Sequence, residues 1–387
     1  MSLPAGGPAT GTPQSAPPGQ APLPLLDPDQ ITAGPTYTHD VDIPKAMTAV
    51  VLTGHGGTDR LEVRDDVAVP SPDPDQVLIR VSAAGVNNTD INTRTGWYSR
   101  DEEEAQTAWS GKPLTFPRIQ GADCCGRIVA VGAHVDPARV GQRVVVRTMQ
   151  EPDASGSPVT LGSEIDGAFA EYVVTRSTEA FSIDSPLDDT ILGALPCSYS
   201  TAEGLLQRAG LRDERVLITG ASGGVGSAAV MLARLRGAHI TAVVGPGKAD
   251  QVRALGADVI LDRDSADLDD LPANTMDVVL DVVGGDSFPA LLKALRPRGR
   301  YAVCGAVGGA HVDLDLRDLY LKDLSLLGAT FHDRSVFADL VRHVESGALT
   351  PIVAATYPLA DIATAQQTFS RHEHVGKLVL VPPTSPD

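Results

Sequence analysis

The stretch RVLITGASGGVGSAAVMLARLRGAHITAVV, residues 215–244, constrains this chain more than any other. It reads as an apolar strand, a glycine turn, a helix and a second apolar strand. Gly220, Gly223 and Gly226 are spaced G-x-x-G-x-x-G, with Gly224 between the last two. Such a turn must be tight, let the backbone approach a pyrophosphate, and bring the helix close to the strand. The start of the helix then offers free N–H groups and a partial positive charge to phosphate. Glycine spacing alone is weak evidence; the strand–turn–helix–strand context makes it specific. Contacts to a dinucleotide are therefore expected from Gly220, Ser222, Gly223, Gly224, Val225 and Gly226.

The surrounding pattern extends that unit. From Pro196 onward strands and helices alternate. Strands are expected at Arg215–Gly220, His239–Val244, Val259–Leu261, Met276–Val282, Arg300–Gly305 and Leu324–Ala329, with helices such as Asp250–Leu255 and Phe288–Leu295 between them. Alternation of this kind demands a parallel, doubly wound sheet. Residues 46–195 read differently, as short alternating strands separated by Pro and Gly turns. Strand-rich sequence returns after Gly347 and ends in the apolar run Lys377–Val381. The expected organisation is α/β, with a doubly wound domain at 196–330 inserted into a β-rich domain built from 46–195 and 331–387. Residues 1–45 hold ten of the 29 prolines and no Lys or Arg before Lys45. They read as an extended tail without the basic start of a secretory signal.

Composition narrows the partners. Hydrophobic residues make up 42% and charged residues 21%, as in a soluble globular chain. No apolar run is long enough to span a bilayer, so no membrane is expected. The net charge of −18, without a Lys/Arg cluster, argues against nucleic acid. Cys124, Cys125, Cys197 and Cys304 form no disulfide framework and suit a reducing cytoplasm. The adjacent Cys124 and Cys125 read as part of a buried strand.

The segments AAGVNNTDINTRTGWY, GADCCGRIVAVG, GQRV, GAFAEY, CSYSTA, VLITGASGGVGSAAVMLA, ALGAD, DVVLDVVG and GKLVLV follow one another in an order that resembles the medium-chain dehydrogenase/reductases. Within them, the chain is most similar to the zinc-free quinone oxidoreductase and enoyl reductase branch, over residues 46–382. The resemblance implies a Rossmann domain inserted in a GroES-like catalytic domain, a nicotinamide cofactor, a small-molecule substrate and a homodimer. Zinc alcohol dehydrogenases of this superfamily carry a Cys where this chain has Asn87, and a His where it has Ala122. Cys197 matches their third ligand, and Asp90 matches an aspartate that lies behind their metal ligands. One thiolate with carboxylates is a poor zinc site, so no metal is expected.

Without a Lewis acid, a conjugated C=C or a quinone is an easier hydride acceptor than an isolated carbonyl. A proton is also required. Tyr98 is the candidate acid, because enoyl-thioester reductases carry a catalytic Tyr at the matching place after Asp-Ile-Asn; pocket lining is the alternative role. Asn87 is a candidate for a hydrogen bond to the nicotinamide ribose or the substrate, and Thr201 for the nicotinamide side. Gly245, Lys248, Arg263, Gly305 and Lys377 complete the expected cofactor contacts. The second strand ends Val243-Val244-Gly245-Pro246-Gly247-Lys248, without the carboxylate that binds a ribose 2′-OH. Lys248 matches a lysine that contacts the 2′-phosphate in the similar quinone reductases, and Arg263 suits a phosphate. NADPH is thus expected over NADH. An alcohol/aldehyde dehydrogenase with an atypical zinc site, and a non-catalytic NADPH-binding protein similar to recruited lens crystallins, are the alternatives. An insertion after Tyr98, with Asp101–Glu104, Trp109 and Phe116, reads either as a lid over the substrate pocket or as a surface excursion.

Overall fold

A computed structural model describes residues 37–38, 43–99, 112–264 and 268–383. Six parallel strands form one sheet, in the order Val259–Asp262, His239–Val244, Arg215–Ile218, Met276–Asp281, Leu295–Val303, Ser325–Gly328. Val216, Leu217 and Ile218 are fully buried. That is the burial of a parallel strand covered on both faces, and it explains the unbroken apolar run. The helix Gly224–Leu235 lays Ala228, Ala229, Leu232 and Ala233 against this core. Small alanines bring its axis close to the sheet. The chain winds outward from Arg215–Ile218 through two strands, then crosses to Met276–Asp281 on the other side. Ligand clefts of open α/β sheets form at such a reversal, where the glycine turn lies.

The remaining strands are mostly antiparallel. An eight-stranded sheet runs Ala180–Ser182, Arg143–Val146, Cys125–Val131, Gln76–Gly85, Lys377–Val381, Val353–Pro358, with Tyr172–Arg176 also on Gln76–Gly85. The C-terminal strand pairs Val379 with Gly85 and Leu380 with Ala84. The last strand of the chain is thereby brought to the head of the helix Asn88–Thr95, which positions Lys377 for the site below. Cys124 and Cys125 are fully buried, the latter starting a strand.

Three details depart from the sequence reading. Tyr37–Thr38, expected within an extended tail, pairs antiparallel with Val131 and Ala130; a two-residue edge pairing has no periodicity to reveal it. The helix Arg334–Glu345 buries Phe337, Leu340 and Val344 in the same core as Leu205 and Leu206 of the helix Pro196–Arg208. That core also takes in Cys125, Val145 and Ile183 of the β-rich part, so it runs across the expected division. The fifth strand of the parallel sheet starts at Leu295 rather than Arg300; Pro297 reads as a turn in sequence, and the irregularity opposite Met276 and Val278 accommodates it. Residues 1–36, Asp101–Glu104 and Trp109 lie outside the described residues.

Candidate active site

The glycine turn has the geometry its sequence implies. Gly220 has φ +56°, a left-handed conformation that glycine adopts without steric cost. A Cβ at Gly226 would lie 2.1 Å from the carbonyl oxygen of Gly220, so only glycine lets the helix start sit on the turn. Gly223 meets nothing closer than 3.5 Å, which leaves its surface free for a ligand. Gly305 lies across the cleft, where an added Cβ would be 2.6 Å from the Val282 carbonyl oxygen.

A buried carboxylate fixes this turn from behind, and the sequence analysis missed it. Asp281 accepts from the Thr219 hydroxyl at 2.6 Å, from the N–H groups of Val283 and Gly284 at 2.9 and 3.0 Å, and from the Tyr301 hydroxyl at 2.5 Å. It thus ties the end of the first strand to the turn that follows the fourth and to the fifth strand. The available signal was an Asp closing the apolar run Met276–Asp281.

Beside the helix start lies a second buried network. Lys377 is 1% exposed, and its ammonium donates to the Val86 carbonyl oxygen at 2.9 Å, to Asp123 Oδ2 at 2.9 Å and to Asn87 Oδ1. Asn87 Oδ1 also accepts from the Ser198 hydroxyl, at 3.2 Å. Its amide nitrogen donates to Asp123 Oδ2 at 2.9 Å and to the Gly85 carbonyl oxygen at 3.2 Å. Asp123 Oδ1 takes the Cys197 N–H at 2.5 Å. A Cβ at Gly224 would meet Ser198 Oγ at 2.7 Å and Lys377 Cδ at 3.0 Å, so the network abuts the dinucleotide motif.

Two expectations change here. The side chain of Asn87 has both acceptor positions and both donors engaged, which leaves nothing for a substrate or a ribose. Lys377 spends its three protons on protein oxygens, so its stem rather than its charge faces the helix start. Both side chains bond protein groups in this arrangement. Sequence reasoning cannot see this, because the partners come from residues 85–87, 123, 198 and 377.

Asp90 and Tyr98 flank this network. Asp90 Oδ2 accepts the Asn87 N–H at 2.8 Å and Oδ1 the Ala122 N–H at 3.3 Å. Burial, and then the nearby Asp123 charge, push its carboxyl up to about 7 against the hydrogen bond from Asn87. Tyr98 shares a hydrogen bond of 3.0 Å with the Thr89 hydroxyl. Burial raises its phenol above the usual value, and Cys197 and Asp90 lie close enough to add to the rise. Tyr98 therefore stands protonated beside Cys197, whose thiol burial also pushes far up and which bonds the Thr201 side chain. The structure brings Tyr98, Thr201 and the glycine turn to one region. Phe116 of the insertion packs edge-on against His55 at 4.9 Å, on the body of the β-rich part.

A basic cluster marks the far side of the turn. Lys248 donates to the His372 carbonyl oxygen. Arg263 stands beside Gly245, where an added Cβ would be 3.6 Å from its guanidinium. Burial and the charge of Arg263 hold the Lys248 ammonium below its ordinary value. The sequence reading found Lys248 and Arg263 but not His372 and His374, which arrive on the loop before the last strand.

The donor set at the zinc position of the similar alcohol dehydrogenases does not fit that metal. Asn87 is fully engaged and Ala122 has no donor. The ammonium of Lys377 already binds Asp123 there. Among the described residues no group of three or more His, Cys, Asp or Glu is arranged to hold a metal.

Comparison with known proteins places the chain among dehydrogenases and reductases. The family model "Alcohol dehydrogenase GroES-like domain" matches residues 73–185, and "Zinc-binding dehydrogenase" matches 224–346. The quinone oxidoreductase of Homo sapiens is 30% identical over 352 residues, covering 87% of this chain and 98% of that protein. The chloroplastic NADPH-dependent alkenal/one oxidoreductase of Arabidopsis thaliana is 28% identical, covering 91% and 83%. A solved structure from Sinorhizobium meliloti 1021, assigned as an alcohol dehydrogenase, is 44% identical, covers 88% of this chain and 98% of its own, and has a TM-score of 0.83. With its parallel sheet, its GroES-like part and these relatives, the chain belongs to the medium-chain dehydrogenase/reductase superfamily, in the quinone oxidoreductase branch.

Proposed function

We propose that the chain is a zinc-independent, NADPH-dependent reductase of an activated C=C bond, in an enone or enoyl thioester, or of a quinone. One observation carries the reading: Asn87, at a position where the similar zinc enzymes carry a ligand, is bound into a buried network with Lys377 and Asp123. A bound reduced nicotinamide supplies a hydride. The protein's part is then to bind, orient and protonate. The helix start at Gly224–Gly226 and the Asp281-fixed turn hold the pyrophosphate. The buried network of Lys377, Asp123 and Asn87 would support the nicotinamide side of the site and exclude water from it. Tyr98, protonated and linked to the Thr89 hydroxyl, is placed to give a proton to the developing enolate or quinol oxygen.

The absence of a carboxylate after Val244, together with Lys248 and Arg263, supports NADPH over NADH. A homodimer is supported by the strand Ser325–Gly328, which ends the parallel sheet with an edge that is unpaired among the described residues. Around it Leu316, Tyr320 and Leu321 are 64%, 61% and 71% exposed. Free apolar edges of this kind favour pairing with a second copy. No described helix is long and apolar enough to cross a membrane, and the four free cysteines support a cytoplasmic setting.

The test is NADPH oxidation against quinones, enones, enoyl thioesters and simple aldehydes, with elemental analysis of the purified protein. Turnover of the conjugated acceptors is expected to survive chelator without bound zinc. Stoichiometric zinc whose removal abolishes turnover would establish the alcohol dehydrogenase reading that the zinc-binding family model favours.

A further inference from the structure

The basic cluster beyond the glycine turn holds more than the lysine and arginine that the sequence showed. The segment after the helix Ile362–Ser370 turns sharply at His372, whose φ is +53°. Helices usually end in this left-handed conformation at Gly or Asn. Here an imidazole is kept instead. His374 follows two residues later, and Gly376 then donates its N–H to the Ser222 carbonyl oxygen, 3.1 Å away in the glycine turn itself. The segment is therefore fastened to the dinucleotide motif at one end and to Lys248 at the other. Phe369 supports both rings, with centroids 6.2 Å from His372 and 5.7 Å from His374. His374 Nδ1 is buried with no hydrogen-bond partner.

The charged groups around the two rings come from four directions. Lys248 precedes the helix Ala249–Ala254, Arg263 follows the strand Val259–Asp262, Lys377 begins the last strand and Glu373 lies between the histidines. Arg263 has one carboxylate partner, Asp264 at 3.1 Å. Glu373 and Asp264 offset Lys248 and Arg263, and Nδ1 of His374 is left without a partner.

We propose that His372 and His374 complete a 2′-phosphate subsite with Lys248 and Arg263, and that the imidazoles take up a proton from solvent when a phosphate monoester binds. This deepens the NADPH reading and rests on it. Without ligand, burial and then the neighbouring cations hold both histidines below their ordinary value, so they are neutral near pH 7. A bound dianion replaces repulsion with attraction and favours the protonated rings. Preference for NADPH over NADH then strengthens as pH falls. Protonation of the free phosphate, with a second pKa near 6, acts in the opposite sense, which makes the two effects separable.

The experiment is titration calorimetry of the full chain with NADPH, NADH, adenosine 2′-monophosphate and adenosine 5′-monophosphate. Each is run at pH 6.5, 7.2 and 8 in pairs of buffers that differ in ionisation enthalpy. For NADPH and the 2′-monophosphate we expect net proton uptake at pH 7.2, and an NADPH preference that rises roughly threefold from pH 8 to 6.5. NADH and the 5′-monophosphate should show neither. The variant His372→Asn/His374→Gln, with Asn chosen because it tolerates the left-handed backbone, should convert uptake into slight release and flatten the pH trend. Its NADH affinity, which should match wild type, reports intact folding; if it does not, the single His374→Gln variant decides. Proton uptake unchanged in the variants overturns the histidine assignment while leaving NADPH preference in place. NADH binding as tightly as NADPH at every pH overturns the NADPH reading itself.

Discussion

Lys377 and Lys248 flank the same glycine turn and are used in opposite ways. Lys377 is buried, and each of its three protons meets an oxygen of the protein. Lys248 is half-buried, bonds one backbone carbonyl and faces Arg263, His372 and His374. The first region is closed: its charges are matched by Asp123 and its polar atoms are satisfied. The second is open, with Nδ1 of His374 buried and unpartnered. A closed network resists change and specifies position, whereas an incompletely satisfied one gains when a ligand brings the missing partner. On the proposed reading, the two regions would separate the tasks of holding the reaction centre and choosing the cofactor.

The largest expected effect comes from opening the closed region. Lys377→Met should leave Asp123 buried without its cation and destabilise the fold by about 3–5 kcal/mol, read from urea unfolding. A loss below about 1 kcal/mol would show that the network is not closed. Next, Tyr98→Phe should lower kcat and kcat/KM together by about 10²–10⁴-fold with NADPH affinity retained, measured where a deuterated cofactor shows hydride transfer to limit the rate. A change confined to KM would make Tyr98 pocket lining.

A pH experiment sharpens the contrast further. Asp90 is raised to about 7 in the fold from the usual 3.8. Between those values the folded state binds more protons than the unfolded one, so Asp90 contributes most stability at low pH and loses it as pH rises through 7. Asp90→Asn should therefore gain on wild type by about 2 kcal/mol or more between pH 4 and 7.5, followed by denaturation at each pH. A constant difference would place Asp90 outside the titrating set. The smallest effect belongs to the open region. Lys248→Ala should weaken NADPH by about 1–2 kcal/mol and leave NADH nearly unchanged in fluorescence titration. Equal loss of both cofactors would remove Lys248 from the 2′-phosphate subsite.

Local pattern was enough for much of this molecule. The parallel strands, the helix behind Gly224 and the left-handed turn at Gly220 follow from apolar runs and glycine chemistry, because each depends on residues near in sequence. The replacement of zinc ligands by Asn87 and Ala122 was equally legible, since a missing donor is a property of one residue. What Asn87 and Lys377 do instead was not legible. Their partners lie as far as 291 positions apart, and only the pairing of Lys377–Val381 with Gln76–Gly85 brings them together. Asp281, His372 and His374 share that character. Sequence by itself determined the fold class and the dinucleotide turn, which arise from short-range sterics and periodic burial. Tertiary structure alone decided which polar groups are already satisfied and which still await a ligand, because hydrogen-bond capacity is exhausted by neighbours in space.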